Sequence, residues 1–159
     1  MIFGKPKQPI VIHQIQLGKP ITHSYTWTKI AENDGNELYL CDQVFNPSAF
    51  GDTDEYEYSI VRDSCYELYE SFSDEERNRL VGHPIIGDHV FLLSDVGYIR
   101  YSDVITPVKS RWWLRSPGRW HGFAAFVDIP DGLYYTRVSH TSIGLRPAII
   151  LKKRRINHG

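Results

Sequence analysis

The densest cluster of side chains that could do chemistry is the basic and aromatic segment from Lys109 to His121. It contains one lysine, three arginines and three tryptophans, and no acidic residue. Arginine and aromatic side chains together stack on bases, pair with phosphates and form the hot spots of protein interfaces. Because Pro117-Gly118 ends a predicted strand, the residues that follow are expected on a loop. Arg119, Trp120 and His121 are therefore the preferred candidates for binding a partner.

The strand part of the same segment favours a structural role. Side chains alternate along a strand, so Trp113 and Arg115 share one face while Trp112 and Leu114 share the other. At least one tryptophan is then expected in the core, and Arg115 should pack on an aromatic ring or donate to a carbonyl. We assign structural roles to Trp112, Trp113 and Arg115, and to Arg146 near the end of the chain.

Histidine and cysteine chemistry is the alternative. The spacing of the seven histidines matches no ligand pattern such as His-Glu-x-x-His, and no glycine-rich phosphate loop occurs, so we expect no metal and no cofactor. Cys41 could be a nucleophile with His140 as its base, although mid-strand it reads as an ordinary buried thiol. A small hydrolase or transferase that uses Cys41, His121 or His140 remains the competing function.

Charge is distributed unevenly along the chain. Ten acids and one base lie from residue 52 to residue 76, whereas ten bases and two acids lie from 109 to 159. Asp63, Glu67 and Glu70 form the acidic face of a predicted helix and could mimic nucleic acid toward a basic partner; a solvated face is the simpler interpretation. The basic C-terminal third could instead bind nucleic acid.

Strand and helix signals predict the elements that position these residues. The segments 25–31 and 37–45 flank Asn33-Asp34-Gly35-Asn36 and predict a hairpin. Ser59 is the expected N-cap of a helix whose apolar positions are Val61, Cys65, Leu68 and Phe72. Ser73 and Glu76 form a capping box for a second helix through Leu80.

Later segments read as strands, with Pro130-Asp131-Gly132 as a tight turn between two of them. The predicted strands are His89–Leu93, Arg111–Ser116, Gly122–Asp128, Leu133–Ser139 and Leu145–Leu151. One or two helices on a mainly antiparallel sheet define an α+β fold.

The 159 residues, 42% of them hydrophobic, suit one domain with its own core. No apolar run approaches the roughly 20 residues of a membrane span. Two cysteines and the absence of an apolar leader favour a cytoplasmic protein. Residues 152–159, which begin Lys152-Lys153-Arg154-Arg155, are expected to be a solvated basic tail.

Four segments together resemble a known family. They are Ser59-Ile60-Val61-Arg62, Val90-Phe91-Leu92-Leu93-Ser94, Trp112-Trp113-Leu114-Arg115-Ser116-Pro117-Gly118 and Gly144-Leu145-Arg146-Pro147-Ala148. Their order resembles a family of bacterial and phage domains of unknown function, marked by Trp-Leu-Arg-Ser-Pro and Gly-Val-Arg-Pro-Ala motifs. The resemblance runs from about residue 27 to residue 151, and Leu145 stands where the family usually has valine.

The family's closing pattern is similar to that of C-type-lectin-like domains, whose loops before the last strand carry the ligand surface. This implies recognition through residues 119–143, and adds Tyr135, Arg137 and His140 to the binding candidates. Neither the tripeptides of a lectin calcium site nor the cysteine pair of formylglycine-generating enzymes occurs here. We therefore expect a non-enzymatic recognition domain, such as an inhibitor or adaptor of phage or mobile-element origin. Its most favoured partner is a protein, with a glycan or nucleic acid as alternatives.

Overall fold

The computed structural model describes residues 14–18, 25–128 and 132–153. In sequence order their strands are β1 (Gln14–Leu17), β2 (Tyr25–Glu32), β3 (Asn36–Cys41), β4 (Leu80–Val81), β5 (Trp112–Pro117), β6 (Phe123–Asp128), β7 (Gly132–Arg137) and β8 (Ala148–Lys152). The α-helices are α1 (Ile60–Ser71), α2 (Asp74–Arg79) and α3 (Asp95–Tyr101). None of these helices is long and apolar enough to cross a membrane.

The strands form two antiparallel sheets. One has the order β1-β2-β3-β8-β4 and the other the order β5-β6-β7. A parallel bridge between Trp112 and Gly144 connects the smaller sheet to the segment that leads into β8. The α+β class expected from the sequence is confirmed.

The two tryptophans of β5 enter two different hydrophobic clusters. Trp113 packs edge-on to Phe50 and Phe126, with ring centroids 5.5 and 6.3 Å away. Trp112 packs edge-on to Tyr98 at 5.7 Å on the opposite side of the strand. Both indoles are almost completely buried, so β5 is the strand that joins the two halves of the core.

The capping signals produce the expected helix starts. Ser59 Oγ accepts a hydrogen bond from Arg62 N at 3.0 Å, and Ser73 and Glu76 form the reciprocal capping box. The second helix ends at Arg79, one residue before the predicted end, because Leu80 pairs with Leu151 of β8.

The structure corrects the middle of the predicted strand series. His89–Leu93 is not a strand, although Phe91 forms an isolated bridge with Ala148. The short α3 that follows was not predicted, because seven residues including Gly97 are too few to show helical periodicity. Ser94 starts it by accepting a hydrogen bond from Gly97 N at 3.0 Å.

Strand ends also differ from the prediction. β3 stops at Cys41 rather than at Phe45. β8 begins at Ala148 rather than at Leu145, because Pro147 has no N–H to donate to the ladder. Lys152 and Lys153, expected in a solvated tail, belong to the sheet: Lys152 ends β8, and Lys153 N donates to the carbonyl of Gly35 at 2.9 Å. Residues 154–159 and most of the predicted turn at 130–132 lie outside the described residues.

Candidate recognition surface

The turn between β5 and β6 is held closed at a glycine. Gly118 N donates to the Phe123 carbonyl at 2.6 Å, and a Cβ at position 118 would lie 2.7 Å from the Cβ of Phe123. Only glycine permits this approach without displacement of the backbone. The turn therefore presents the three residues from 119 to 121, all of them exposed, at the end of the smaller sheet.

Trp120, Phe123 and Arg137 form an aromatic–arginine stack beside this turn. The Trp120 ring is 61% exposed and meets the Phe123 ring edge-on at 5.5 Å. Arg137 faces Phe123 across the β6–β7 ladder, with its guanidinium carbon 5.6 Å from the ring centroid. Each such contact contributes only about 0.5–1 kcal/mol at an exposed site. Together the two contacts hold the side chains of Trp120 and Arg137 against Phe123, while both remain exposed to a partner.

The loop that contains Asp54, Glu55 and Glu57, here called the acidic loop, also contacts this turn. Asp54 Oδ2 accepts a hydrogen bond from Gly122 N at 2.8 Å and lies 3.7 Å from Nδ1 of the fully exposed His121. The residues between position 54 and α1 form the 3-10 turn Tyr56–Tyr58. The acidic loop is thus hydrogen-bonded to Gly122, the residue just before Phe123 of the aromatic–arginine stack.

A cleft of about 490 Å³ adjoins this loop, with Asp54, Arg62, Arg115 and Ser116 among its lining residues. Arg62 is committed within the protein, because its Nε and Nη2 bind both carboxylate oxygens of Asp88 at 2.9 and 2.8 Å. Asp54, Arg115 and Ser116 also form hydrogen bonds within the protein, so these lining groups are already engaged.

Arg115 at the floor of this cleft acts as a structural donor. Its Nη1 donates to the carbonyl of Leu92 at 2.8 Å, and its backbone N donates to Leu93. Burial lowers the pKa of the guanidinium. Arg115 thereby connects β5 to Leu92 and Leu93, which lie in the segment 89–93 that was expected to be a strand.

Arg146 is buried more deeply, with 2% of its surface exposed. Its Nε donates to Cys41 O at 2.7 Å and its Nη2 to Thr106 O at 3.0 Å, while its guanidinium carbon lies 5.0 Å from the Trp112 ring centroid. Burial lowers its pKa to about 10. These contacts bury the Arg146 side chain against Trp112 in the core.

The remaining binding candidates separate in space. Tyr135 is half-buried and packs with the Trp112 cluster, where its ring lies 3.2 Å from the Cβ position of Gly118. His140 lies in the turn after β7, where Ser142 N donates to its Nδ1 at 3.3 Å. The structure thus brings Tyr135 and Arg137 toward the turn of Trp120, while His140 has its own local partner.

The acidic candidates Asp63, Glu67 and Glu70 are all exposed on one face of α1. Tyr66, 60% exposed, lies among them. This face belongs to a different element from the aromatic–arginine stack, and the two are tested as alternative candidate surfaces.

Geometry disfavours thiol catalysis. Cys41 is completely buried, and burial raises its pKa to about 12, so the thiol is protonated at neutral pH. Cys65 is also completely buried, and burial raises its pKa to about 12. No hydrogen bond joins Cys41 to His140, and within residues 14–18, 25–128 and 132–153 no group of three or more His, Cys, Asp or Glu side chains is placed to hold a metal ion.

Sequence reasoning missed Phe123 and Asp54. Phe123 reads as an ordinary strand residue, and Asp54 is one of ten acids in its segment, so no local signal distinguished either.

Searches of protein-family models, curated proteins and solved structures each found no match to this chain.

Proposed function

We propose that this chain is a non-enzymatic recognition domain that binds a protein partner through the aromatic–arginine stack and the adjoining turn. The observation that carries the proposal is the largely exposed Trp120, whose ring contacts the same Phe123 ring that Arg137 faces. Exposed tryptophan beside arginine is the composition of interface hot spots.

Charge favours an acidic protein surface as the partner. Within the described part of the chain, the guanidinium groups of Arg119 and Arg137 form no ion pair, and both are exposed. Two other arginines of the C-terminal third are already engaged within the protein: Arg111 pairs with Asp128 at 3.0 Å, and Arg146 is buried. Two arginines beside a tryptophan suit an acidic patch on a protein better than the extended phosphate backbone of nucleic acid, which needs several contacts in a row.

The resemblance to the bacterial and phage family supports a finer version of the proposal. The domain is then C-type-lectin-like, with the residues between β5 and β8 as its ligand surface. A cytoplasmic module of this kind acts as an inhibitor or adaptor of phage or mobile-element origin.

Site-specific photocrosslinking tests the proposal. A photoreactive amino acid replaces Arg119 in one sample and, as the matched control, Glu67 of α1 in another, and both are irradiated in lysate of the source cells. We expect a protein adduct at position 119 that is absent at position 67. The captured partner is then purified, and its affinity for the domain is measured by calorimetry.

The affinity measurements compare the two candidate surfaces. We expect Trp120→Ala and Arg137→Glu each to weaken binding at least tenfold, since hot-spot truncations cost about 2 kcal/mol or more. The variant with Asp63→Asn, Glu67→Gln and Glu70→Gln should bind like the wild type. If instead the triple variant loses binding and the Trp120 variant keeps it, the interface is the acidic face of α1 and the proposal is wrong.

A further inference from the structure

Within the described residues, some backbone groups on the outer edge of β7 have no hydrogen-bond partner. β7 is the last strand of the β5-β6-β7 sheet, and its ladder partner among the described residues is β6. Val138 N donates to the Gly122 carbonyl at 3.0 Å, which fixes the phase of the ladder. Backbone groups alternate in direction along an antiparallel strand, so Tyr134 and Thr136 direct theirs toward β6.

The alternate residues of β7 direct their backbone groups outward. These are the N–H and C=O of Leu133 and Tyr135 and the N–H of Arg137; the Arg137 carbonyl accepts from His140 N at 3.1 Å. No hydrogen bond from the described residues satisfies the outward groups of Leu133 and Tyr135. Such an edge is a template for a further strand.

The side chains around this edge indicate which strand it suits. Tyr134, 52% exposed, leans toward Phe126 on one face of the sheet, while the aromatic–arginine stack lies at the Arg137 end. An incoming strand therefore meets an aromatic ring near its middle and a cation at one end. A β-branched or aromatic residue opposite Tyr134 and a carboxylate beside Arg137 are the complementary choices.

A second copy of the chain is a poorer occupant. In the symmetric antiparallel pairing of two β7 strands that centres on Tyr135, Arg137 of one copy falls opposite Leu133 of the other. Leu133 carries no charge, so both arginines stay unpaired in this register. A partner segment that contains an acidic residue satisfies the edge and the arginine together.

We infer that the outer edge of β7 binds an extended, acidic segment of the protein partner as a fourth strand of the β5-β6-β7 sheet. This inference rests on the proposed function and specifies how the partner's backbone is held. Main-chain hydrogen bonds supply affinity in this mode of recognition, and the flanking side chains supply specificity.

The test uses a defined probe, the capped heptapeptide acetyl-Thr-Asp-Val-Tyr-Val-Asp-Thr-amide, and a control peptide in which lysine replaces both aspartates. Amide hydrogen exchange is followed by NMR on the full-length, isotopically labelled protein. We expect the acidic peptide to slow exchange at Leu133 and Tyr135 at least tenfold. Exchange at Tyr134 and Thr136, already bonded to β6, should change little, and the lysine peptide should have no effect.

A pair of variants at one position separates the backbone from the side chain. Tyr135→Pro removes an outward N–H without removing a ladder bond to β6, whereas Tyr135→Val removes the same ring and keeps the N–H. We expect the proline variant to lose peptide affinity at least tenfold relative to the valine variant. Circular dichroism establishes that both are folded, and the exchange measurement on the wild type does not depend on either.

The outcomes distinguish this inference from the proposed function. Peptide binding without slower exchange at Leu133 and Tyr135, or no binding of the acidic peptide, overturns the edge inference. In either case the proposed function stands if Trp120→Ala still weakens binding of the captured partner. If Trp120→Ala leaves that binding unchanged, the proposed function fails whatever the peptide does.

Discussion

The carboxylate of Asp54 accepts a hydrogen bond from the backbone N–H of Gly122, 68 residues later in the chain. This bond joins the acidic loop before α1 to the turn that presents Trp120. Removing the acceptor leaves a partly buried N–H without its partner, which costs about 1–2 kcal/mol. We therefore expect Asp54→Ala to lower the free energy of unfolding by this amount in urea titrations. The exposed Asp52→Ala is the control, and equal effects of the two changes would contradict the role of Asp54.

The two kinds of tryptophan should respond differently to truncation. Trp113 is completely buried, and its Nε1 donates to Ser48 O at 3.0 Å, so Trp113→Ala should cost about 3–5 kcal/mol through lost packing and a cavity. Trp120→Ala removes an exposed ring and should cost less than about 1 kcal/mol. Denaturant unfolding of both variants measures the difference, and a large loss at Trp120 would mean that its ring is structural.

Glycine at position 118 should be required by space rather than by backbone angle. A methyl group there meets the Cβ of Phe123 at 2.7 Å, so the hairpin must open, and Gly118→Ala should destabilise by about 1–3 kcal/mol. Gly35 has no heavy atom within 4 Å of its Cβ position, which makes Gly35→Ala the matched control. Thermal unfolding compares them, and the explanation fails if both variants melt together.

Stability should fall at mildly acidic pH because of His83. Burial, and secondarily the charge of Arg115, lowers its pKa from 6.5 to about 4. Ile85 N donates to its Nδ1 at 3.1 Å, which also requires that nitrogen to be unprotonated. Since the folded state resists protonation, the stabilising contribution is complete above pH 6.5 and is lost as pH falls toward 4.

The pH effect should be about 1–2 kcal/mol, because the half-exposed ring is partly screened by solvent. His83→Asn keeps an acceptor for Ile85 N but does not titrate. The free energy of unfolding is measured for both proteins between pH 7.5 and 4.5. We expect the wild type to lose more stability than the variant, and parallel curves would remove His83 as the cause.

Neither cysteine should react in the folded protein. Cys41 and Cys65 are completely buried, and burial raises both pKa values to about 12. We expect an aromatic disulfide reagent at pH 8 to label no thiol in native buffer and two in denaturant. Rapid labelling of Cys41 in native buffer would restore the thiol-dependent enzyme as a serious alternative.

Local patterns in the sequence were sufficient for several elements. The turn at Asn33–Asn36 predicts the β2–β3 hairpin, and Ser59 and Ser73 mark two helix starts, because caps and turns depend on residues only a few positions apart. The candidate turn at 119–121 follows in the same way from Pro117-Gly118. These signals also establish the α+β class.

Contacts between distant segments were decided only by the tertiary structure. The pairing of Phe91 with Ala148 leaves residues 89–93 as a bridge instead of a strand, and Asp54 becomes important only because folding brings Gly122 to it. The alternation of side chains along a strand predicted that Trp112 and Trp113 lie on opposite faces of β5. It did not predict that each would enter a different hydrophobic cluster of the core. The sequence by itself thus determined the β2–β3 hairpin, the starts of α1 and α2 and the α+β class, since those preferences are local, but it did not determine α3 or the bridge at Phe91. The tertiary structure decided which exposed residues meet, because that depends on packing between segments far apart in the chain.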